Sequence, residues 1–258
     1  MVKAYRAYNA TRFPSGNTYK VASQSNFLDI ELPETTISRI DLLLTESFQA
    51  YYIHHEMIVE QIGRAKDIQF THFAAPFEFN SYIQRASKLL LFQTAKRVCI
   101  DLVHRLNSSN DFDINQYSVD FEVLRPYIKN VRGAWIKFQQ ANLRTSAHFG
   151  NHVDNSLAFQ ESMQTGQLTS LYILYDYESE QIPIQITSDC AVVLYPNIDE
   201  VQIEIDITVS VINWLHSTGA LSLATPRKPR KRRMISTSGG QTTENPPSLL
   251  EVLEENEL

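Results

Sequence analysis

The hydrophobic repeat of this chain changes period near Val131, and no other feature limits its fold as tightly. Ahead of that point apolar residues recur at a 3.6-residue spacing, and beyond it they alternate. The first half is therefore expected to pack helices and the second half strands.

Within the first half, Ser38 stands where an N-cap belongs, with Asp41 three residues on as a short-armed capping-box partner. Ile40, Leu44, Phe48, Tyr51, Tyr52, Ile58, Val59 and Ile62 follow as one stripe that closes at Gly63. A second helix is expected from Ser81 to Leu106, through Ile83, Ala86, Leu90, Ala95, Val98 and Leu102. Around these, residues 1–35 read as extended, with Pro14-Ser15-Gly16-Asn17 as a turn and Phe27–Leu32 as a further strand. The aromatic stretch Ile68–Phe79, broken by Pro76, reads as strand or loop, and polar Asn107–Asp113 as the best internal boundary.

Beyond Val131, Ala141, Leu143, Thr145, Ala147 and Phe149 alternate with Asn142, Arg144, Ser146 and His148. That pattern predicts a half-buried strand whose polar set faces outward. Asp154 or Asn155 can cap a short helix ending at Gly166. Leu168–Tyr177, Ile182–Thr187 and Cys190–Tyr195 read as strands joined by tight turns. Val201–Val211 alternates for eleven residues and is β-branched, which favours a strand with a helical turn at Asn213–Ser217. The competing reading there is a helix from Asp199 to His216, stopped at Gly219.

The expected fold class is α+β, with N-terminal strands and two long helices followed by a mostly antiparallel β-sheet portion with a short helix. The divisions are 1–130, 131–225 and a tail, 226–258, too poor in apolar residues to order itself.

Charge is sorted along the chain. Residues 81–144 carry ten basic and five acidic side chains, a balance of +5, whereas 145–225 carry ten acidic and no Lys or Arg. Pro226–Arg233 then holds six basic residues in eight. Such neighbours either dock on one another or face separate partners. Cys99 and Cys190 sit in apolar contexts, as expected of reduced thiols in an intracellular chain. No stretch is apolar enough to span a bilayer and no secretory leader is evident, so a soluble, cytoplasmic protein is expected, nuclear if the host has a nucleus.

The densest polar constellation is Asn142-x-Arg144-x-Ser146-x-His148, continuing through Gly150, Asn151, His152 and Asp154. Two histidines beside an arginine are the parts of a metal-free phosphodiester cleavage, as base, acid and anion clamp. The same groups serve equally as ligand contacts or as a solvated strand face. H-x3-H-x-D matches no established metal spacing, and His54-His55-Glu56 lacks the four-residue interval of a helical zinc pair, so it reads as helix surface.

A restriction-type nuclease centre at Asp176 fails because Gln185-Ile-Thr187 supplies no lysine. Eight glycines, no Gly-x-Ser-x-Gly and no Gly-x4-Gly-Lys leave little room for a phosphate loop or a serine nucleophile. No cofactor and no metal are expected.

Arg85, Lys88, Lys96, Arg97 and Arg105 fall on the second expected helix, followed by Arg125, Lys129, Arg132, Lys137 and Arg144. Phosphate contact needs such clustering. The tail cations Arg227, Lys228, Arg230, Lys231, Arg232 and Arg233 suit a nuclear-import signal or a flexible nucleic-acid arm. The expected function is a non-enzymatic binding or adaptor protein that contacts nucleic acid, a nucleoprotein complex or a protein partner. The alternatives are a metal-independent ribonuclease using His148, His152 and Arg144, and an acidic mimic of nucleic acid that occupies a basic partner.

Overall fold

A computed structural model of the chain describes residues 2–22, 33–42, 44, 47–65, 68–138 and 144–224. The strand expected at Phe27–Leu32, the residue Asn142 and the whole tail from Thr225 lie outside the described residues. What is described is dominated by one antiparallel sheet.

Its strands are β1 (Lys3–Arg12), β2 (Thr18–Ala22), β3 (Glu34–Ile40), β4 (Gln49–Ala65), β5 (Ile68–Gln84) and β6 (Leu89–Phe92). They continue as β7 (Asp113–Val119), β8 (Val131–Phe138), β9 (Thr145–Phe149), β10 (Gly166–Tyr177), β11 (Glu180–Thr187), β12 (Ala191–Leu194) and β13 (Leu221–Leu223). The helices are α1 (Lys96–Asn107), the single turn α2 (Phe121–Leu124), α3 (Leu157–Thr165) and α4 (Val201–Ser217).

The strands run in the order β2-β3-β4-β5-β6-β1-β12-β11-β10-β8-β9. β1 is the junction. Its first half pairs with β12, its second half with β7, and β6 lines its other edge. Residues 3–12 and 191–194, far apart in sequence, therefore share one set of ladders.

Strand alternation sends side chains to two cores, one on each face. In β6, Leu89 and Leu91 enter one core while Leu90 and Phe92 enter the other. The first core lies under α4 and α3 and takes Ile136 and Phe138 of β8, Leu171 and Ile173 of β10 and Ile184 and Ile186 of β11. The second lies under α1, where Val98, Cys99, Leu102 and Leu106 pack on Tyr8, Ile37, Tyr51, Ile53 and Phe79.

The two long N-terminal helices are not formed. Residues 38–62 belong to β3 and β4, and residues 81–106 divide among the end of β5, β6 and α1. The helical stripe read over 40–62 is a by-product of aromatic and β-branched residues on both faces of one long strand. Tyr51, Ile53, His55 and Met57 point into the α1 core, whereas Tyr52 and Ile58 lie on the other side. Such residues favour a pleated, half-buried surface over a helix.

His54-His55-Glu56 accordingly lies on a strand, not on a helix surface. His55 is fully buried, with Nδ1 2.8 Å from Thr35 Oγ1. Its Nε2 is 3.1 Å from Asp101 Oδ2, out of line for a straight hydrogen bond, so that contact is electrostatic. Arg105, also buried, donates to Thr35 Oγ1 and to Asp101 Oδ2.

Residues 201–217 are helical, contrary to the favoured strand reading and in line with the competing one. The buried set Glu204, Ile205, Ile207, Thr208, Val211, Ile212 and Leu215 follows a helical three-and-four-residue spacing, so tertiary burial overrides β-propensity. Gly219 at φ 74° follows the C-terminus, a conformation that favours glycine. The strands expected over 168–177, 182–187 and 190–195 are present as β10, β11 and β12. The helix expected after Asp154 is α3, capped by Ser156, which accepts from Phe159 N.

Candidate binding face of the sheet

The α1 core ends at β1. On the same side of the sheet, strands β12, β11, β10, β8 and β9 turn a row of side chains outward that belongs to neither core. The register defines it: Phe149 lies opposite Gly133, Gly133 opposite Tyr172, Tyr172 opposite Gln185, and Gln185 opposite Val193. A second row carries Trp135 opposite Ala147 and Ser170, with Ser170 opposite Thr187. At about 4.8 Å per strand, five strands make a platform some 19 Å across.

Two aromatic pairs occupy the platform. Trp135 and Phe149 pack edge to face with centroids 5.0 Å apart, and Tyr172 and Tyr195 do the same at 5.0 Å. Phe149 is 65% exposed and Tyr195 39%, and it is their grouping with Trp135 and Tyr172 on one face, rather than the exposure of either ring, that marks a contact surface. Gly133 makes the first pair possible. A Cβ there would come within 3.0 Å of the Phe149 ring and 3.2 Å of Tyr172 Cβ, so the missing side chain is the notch into which Phe149 leans.

Polar groups are fixed between the rings. Gln185 Nε2 donates to Ser170 Oγ at 2.6 Å, and Tyr195 OH donates to Gln185 Oε1 at 2.7 Å. The amide and hydroxyls are thereby held in place.

Charge on this side is biased. Lys137 is exposed at one end, one register position from Trp135 on the same face. At the other border Arg6 Nη1 and Lys96 Nζ meet Asp189 Oδ2 at 3.0 and 2.9 Å, two cations on one carboxylate. Burial pushes the Asp189 carboxyl up, but Thr187, Lys96 and Arg6 together outweigh it and hold the group below the usual range. Asp176, at the tip of the β10–β11 hairpin, is bound by Gln181 Nε2. That tip keeps exposed acid, with Glu178 and Glu180 beside it. Glu204 of α4 lies on the other side of the sheet, buried between Lys3 Nζ and Tyr5 OH at 2.5 Å each.

The residues singled out from sequence scatter. Ser146 and His148 face α3, opposite the expected outward direction, and Thr145, Ala147 and Phe149 turn to the open side. His148 Nε2 lies 3.2 Å from Ser146 Oγ and 3.1 Å from Ser162 Oγ, with its ring against Phe159. His152 is left-handed and exposed in the turn beyond β9, and Arg144 is exposed just before it. Among the described residues no hydrogen bond or ion pair joins His148 to His152 or Arg144.

Because the second expected helix is not formed, its cations do not share a face. Arg85 and Lys88 sit in the β5–β6 turn and Lys96 and Arg97 at the start of α1. Arg85 is engaged by Phe13 O, Pro14 O, Gln49 Oε1 and Tyr51 OH, which makes it a brace rather than a free contact. Lys88 and Arg97 remain exposed.

Sequence reasoning passed over Gly133, Trp135, Tyr172, Gln185 and Tyr195. The one signal for them was alternation in Val131–Phe138, where Gly133, Trp135 and Lys137 form the off-core set. No known protein family matches the chain, and no curated protein is significantly similar to it. Among the described residues no helix is long and apolar enough to cross a membrane, and no cluster of three His, Cys, Asp or Glu is placed to hold a metal ion.

Proposed function

We propose that this protein is a non-enzymatic nucleic-acid-binding protein that lays a single strand across the open face of β8 to β12. The observation that carries the reading is the pairing of exposed rings with a fixed amide and hydroxyl on one antiparallel face that no helix or strand among the described residues covers. Bases stack on aromatic side chains regardless of sequence, and each stack is worth about 1–3 kcal/mol. Four-stranded sheets that present aromatics this way hold roughly two or three bases. Gln185, fixed by Ser170 and Tyr195, keeps one amide hydrogen for a base edge, and Lys137 and the Arg6–Lys96 pair offer cations at the two borders. The basic segment Pro226–Arg233 adds phosphate-seeking charge of its own.

Cleavage by His148, His152 and Arg144 would need all three to converge on one phosphate. His148 instead sits between two serines beside α3, so binding without chemistry is the better supported reading. The test is an anisotropy titration of labelled single-stranded RNA and DNA with the full-length protein at low and high salt. Saturable binding that weakens with salt and with Trp135→Ala supports the proposal. Salt-independent binding, or none, overturns it.

A further inference from the structure

We propose that the free edge of β9 pairs with the same strand of a second copy of this chain, antiparallel about a two-fold axis through Ala147. The inference goes beyond the reading of the aromatic face and does not depend on it, because backbone groups carry it. Among the described strands β9 ends the row and pairs with β8 alone. Arg144 O accepts from Phe138 N at 3.0 Å, and Gly150 N donates to Arg132 O at 3.1 Å. In an antiparallel ladder, residues that bond across alternate with residues that do not. Ser146 and His148 therefore bond to β8, and Thr145, Ala147 and Phe149 aim their N–H and C=O groups away from it. Among the described residues nothing bonds to those outward groups.

A free edge is a template for another strand, and natural sheets blunt it with charge, proline or a bulge. The far end of the row is blunted in this way. β2 is five residues long, as β9 is, and its central Lys20 is 68% exposed and paired with Glu34. β9 has none of these devices. Thr145–Phe149 holds no Lys, Arg, Asp, Glu or Pro and no shift of register. Its three outward-bonding residues are all exposed.

The occupant follows from the symmetry of the strand. With Ala147 on the axis, Thr145 falls opposite the partner's Phe149, Ala147 opposite the partner's Ala147, and Phe149 opposite the partner's Thr145. All three residues of each strand then bond, with two hydrogen bonds at each pair. The side chains agree with this register. A β-branched residue lies beside an aromatic ring, a favourable cross-strand pair, and the small Ala147 lets the strands close on the axis. On the α3 side Ser146 faces the partner's His148 and Arg144 the partner's Gly150, so no charge meets its like. A foreign peptide would use the same backbone groups, but β9 carries no charge to select one, whereas its own sequence is self-complementary. The contact is small beside the roughly 800 Å² per partner of a standard interface, so the dimer should dissociate on dilution.

The experiment is sedimentation velocity of the full-length, nucleic-acid-free protein over a dilution series in reducing buffer. The expected result is a reversible monomer–dimer equilibrium. Ala147→Lys sets like charges face to face on the axis and should weaken dimerisation at least tenfold. The thermal midpoint should hold, since residue 147 is exposed. Ala147→Cys reads the register independently. Cα atoms of a hydrogen-bonded antiparallel pair lie about 5.5 Å apart, within the span of a disulfide, so mild oxidation should yield a covalent dimer. Thr145→Cys stands four residues from its own copy, about 14 Å at 3.4 Å per residue, and should cross-link at least tenfold more slowly. The wild type should not cross-link, because Cys99 and Cys190 are buried. A protein that stays monomeric throughout overturns the proposal and leaves the edge to a foreign strand. A dimer untouched by Ala147→Lys, or one that Thr145→Cys cross-links as fast as Ala147→Cys, overturns it too, by placing the contact on another surface or in another register.

Discussion

Trp135 and Phe149 meet with their ring planes at 90° on adjacent strands, and Phe149 reaches its place only because Gly133 directly opposite it has no side chain. Removing either ring should therefore leave the α4 core intact and impair the face alone. Trp135→Ala and Phe149→Ala are each expected to weaken single-strand affinity by about 1–3 kcal/mol, with the thermal midpoint nearly unchanged. Gly133→Val should act like Phe149→Ala by pushing the ring aside. Anisotropy titrations beside melting curves check all three.

Salt dependence separates stacking from phosphate contact. Each phosphate neutralised on a single strand contributes about −0.7 to the slope of log affinity against log salt. Lys137→Gln should flatten the slope by about that amount with little effect on base preference. Deleting Pro226–Leu258, which removes six basic residues from 226–233, should flatten it further. An unchanged slope in both variants would remove cations from the binding mechanism.

The buried polar cluster beneath α1 gives a pH prediction. The His55 imidazole, 3.1 Å away, holds the Asp101 carboxyl below its usual range, and the Arg105 guanidinium adds to this against the opposing effect of burial. A group depressed in the folded state contributes stability that is complete above the unfolded value, about 3.9, and is lost as pH falls through the lower folded value. Acid melting of the wild type should therefore steepen below about pH 4. Asp101→Asn should lower stability near neutrality by about 1.5 kcal/mol, the low end for charged hydrogen bonds because Asp101 is 42% exposed. The variant should also lack that part of the acid dependence.

Both thiols are buried, and burial pushes Cys99 and Cys190 up to about 12. At neutral pH neither forms appreciable thiolate, which is the reactive species. Alkylation of the native protein should be negligible over hours and should reach two groups per chain in denaturant. Fast labelling of the native protein would mean that α1 or the β11–β12 turn opens readily.

How far the sequence reveals this molecule depends on the length of the pattern being read. Short strands bounded by turns, such as β10 through β12, declare themselves because one face is apolar and the turn residues are polar. β4 hides, because His55 takes an inward position and Tyr52 and Ile58 take outward ones, which blurs period two into something resembling 3.6. α4 misleads in the opposite sense: its odd-numbered isoleucines and valines alternate, but the helical grouping that buries Glu204, Thr208, Val211 and Leu215 is set by Lys3, Tyr5 and the sheet beneath. The direction of β9 could not be read at all. Alternation fixes two faces and does not say which one a distant helix such as α3 will cover. The platform needed that knowledge, because its rings look like core residues until the cover is known to be on the other side.

The most direct measurement uses the two tryptophans. Trp214 packs against Tyr175 in the α4 core, with centroids 5.7 Å apart, so Trp214→Phe leaves Trp135 as the only indole emitter, on the open face. Titrating that variant with an unlabelled single-stranded oligonucleotide should quench the Trp135 emission in a saturable, salt-sensitive way, at the same midpoint as anisotropy of a labelled strand. Binding that saturates with Trp135 emission untouched would place the nucleic acid elsewhere, and no binding at all would end the proposed role.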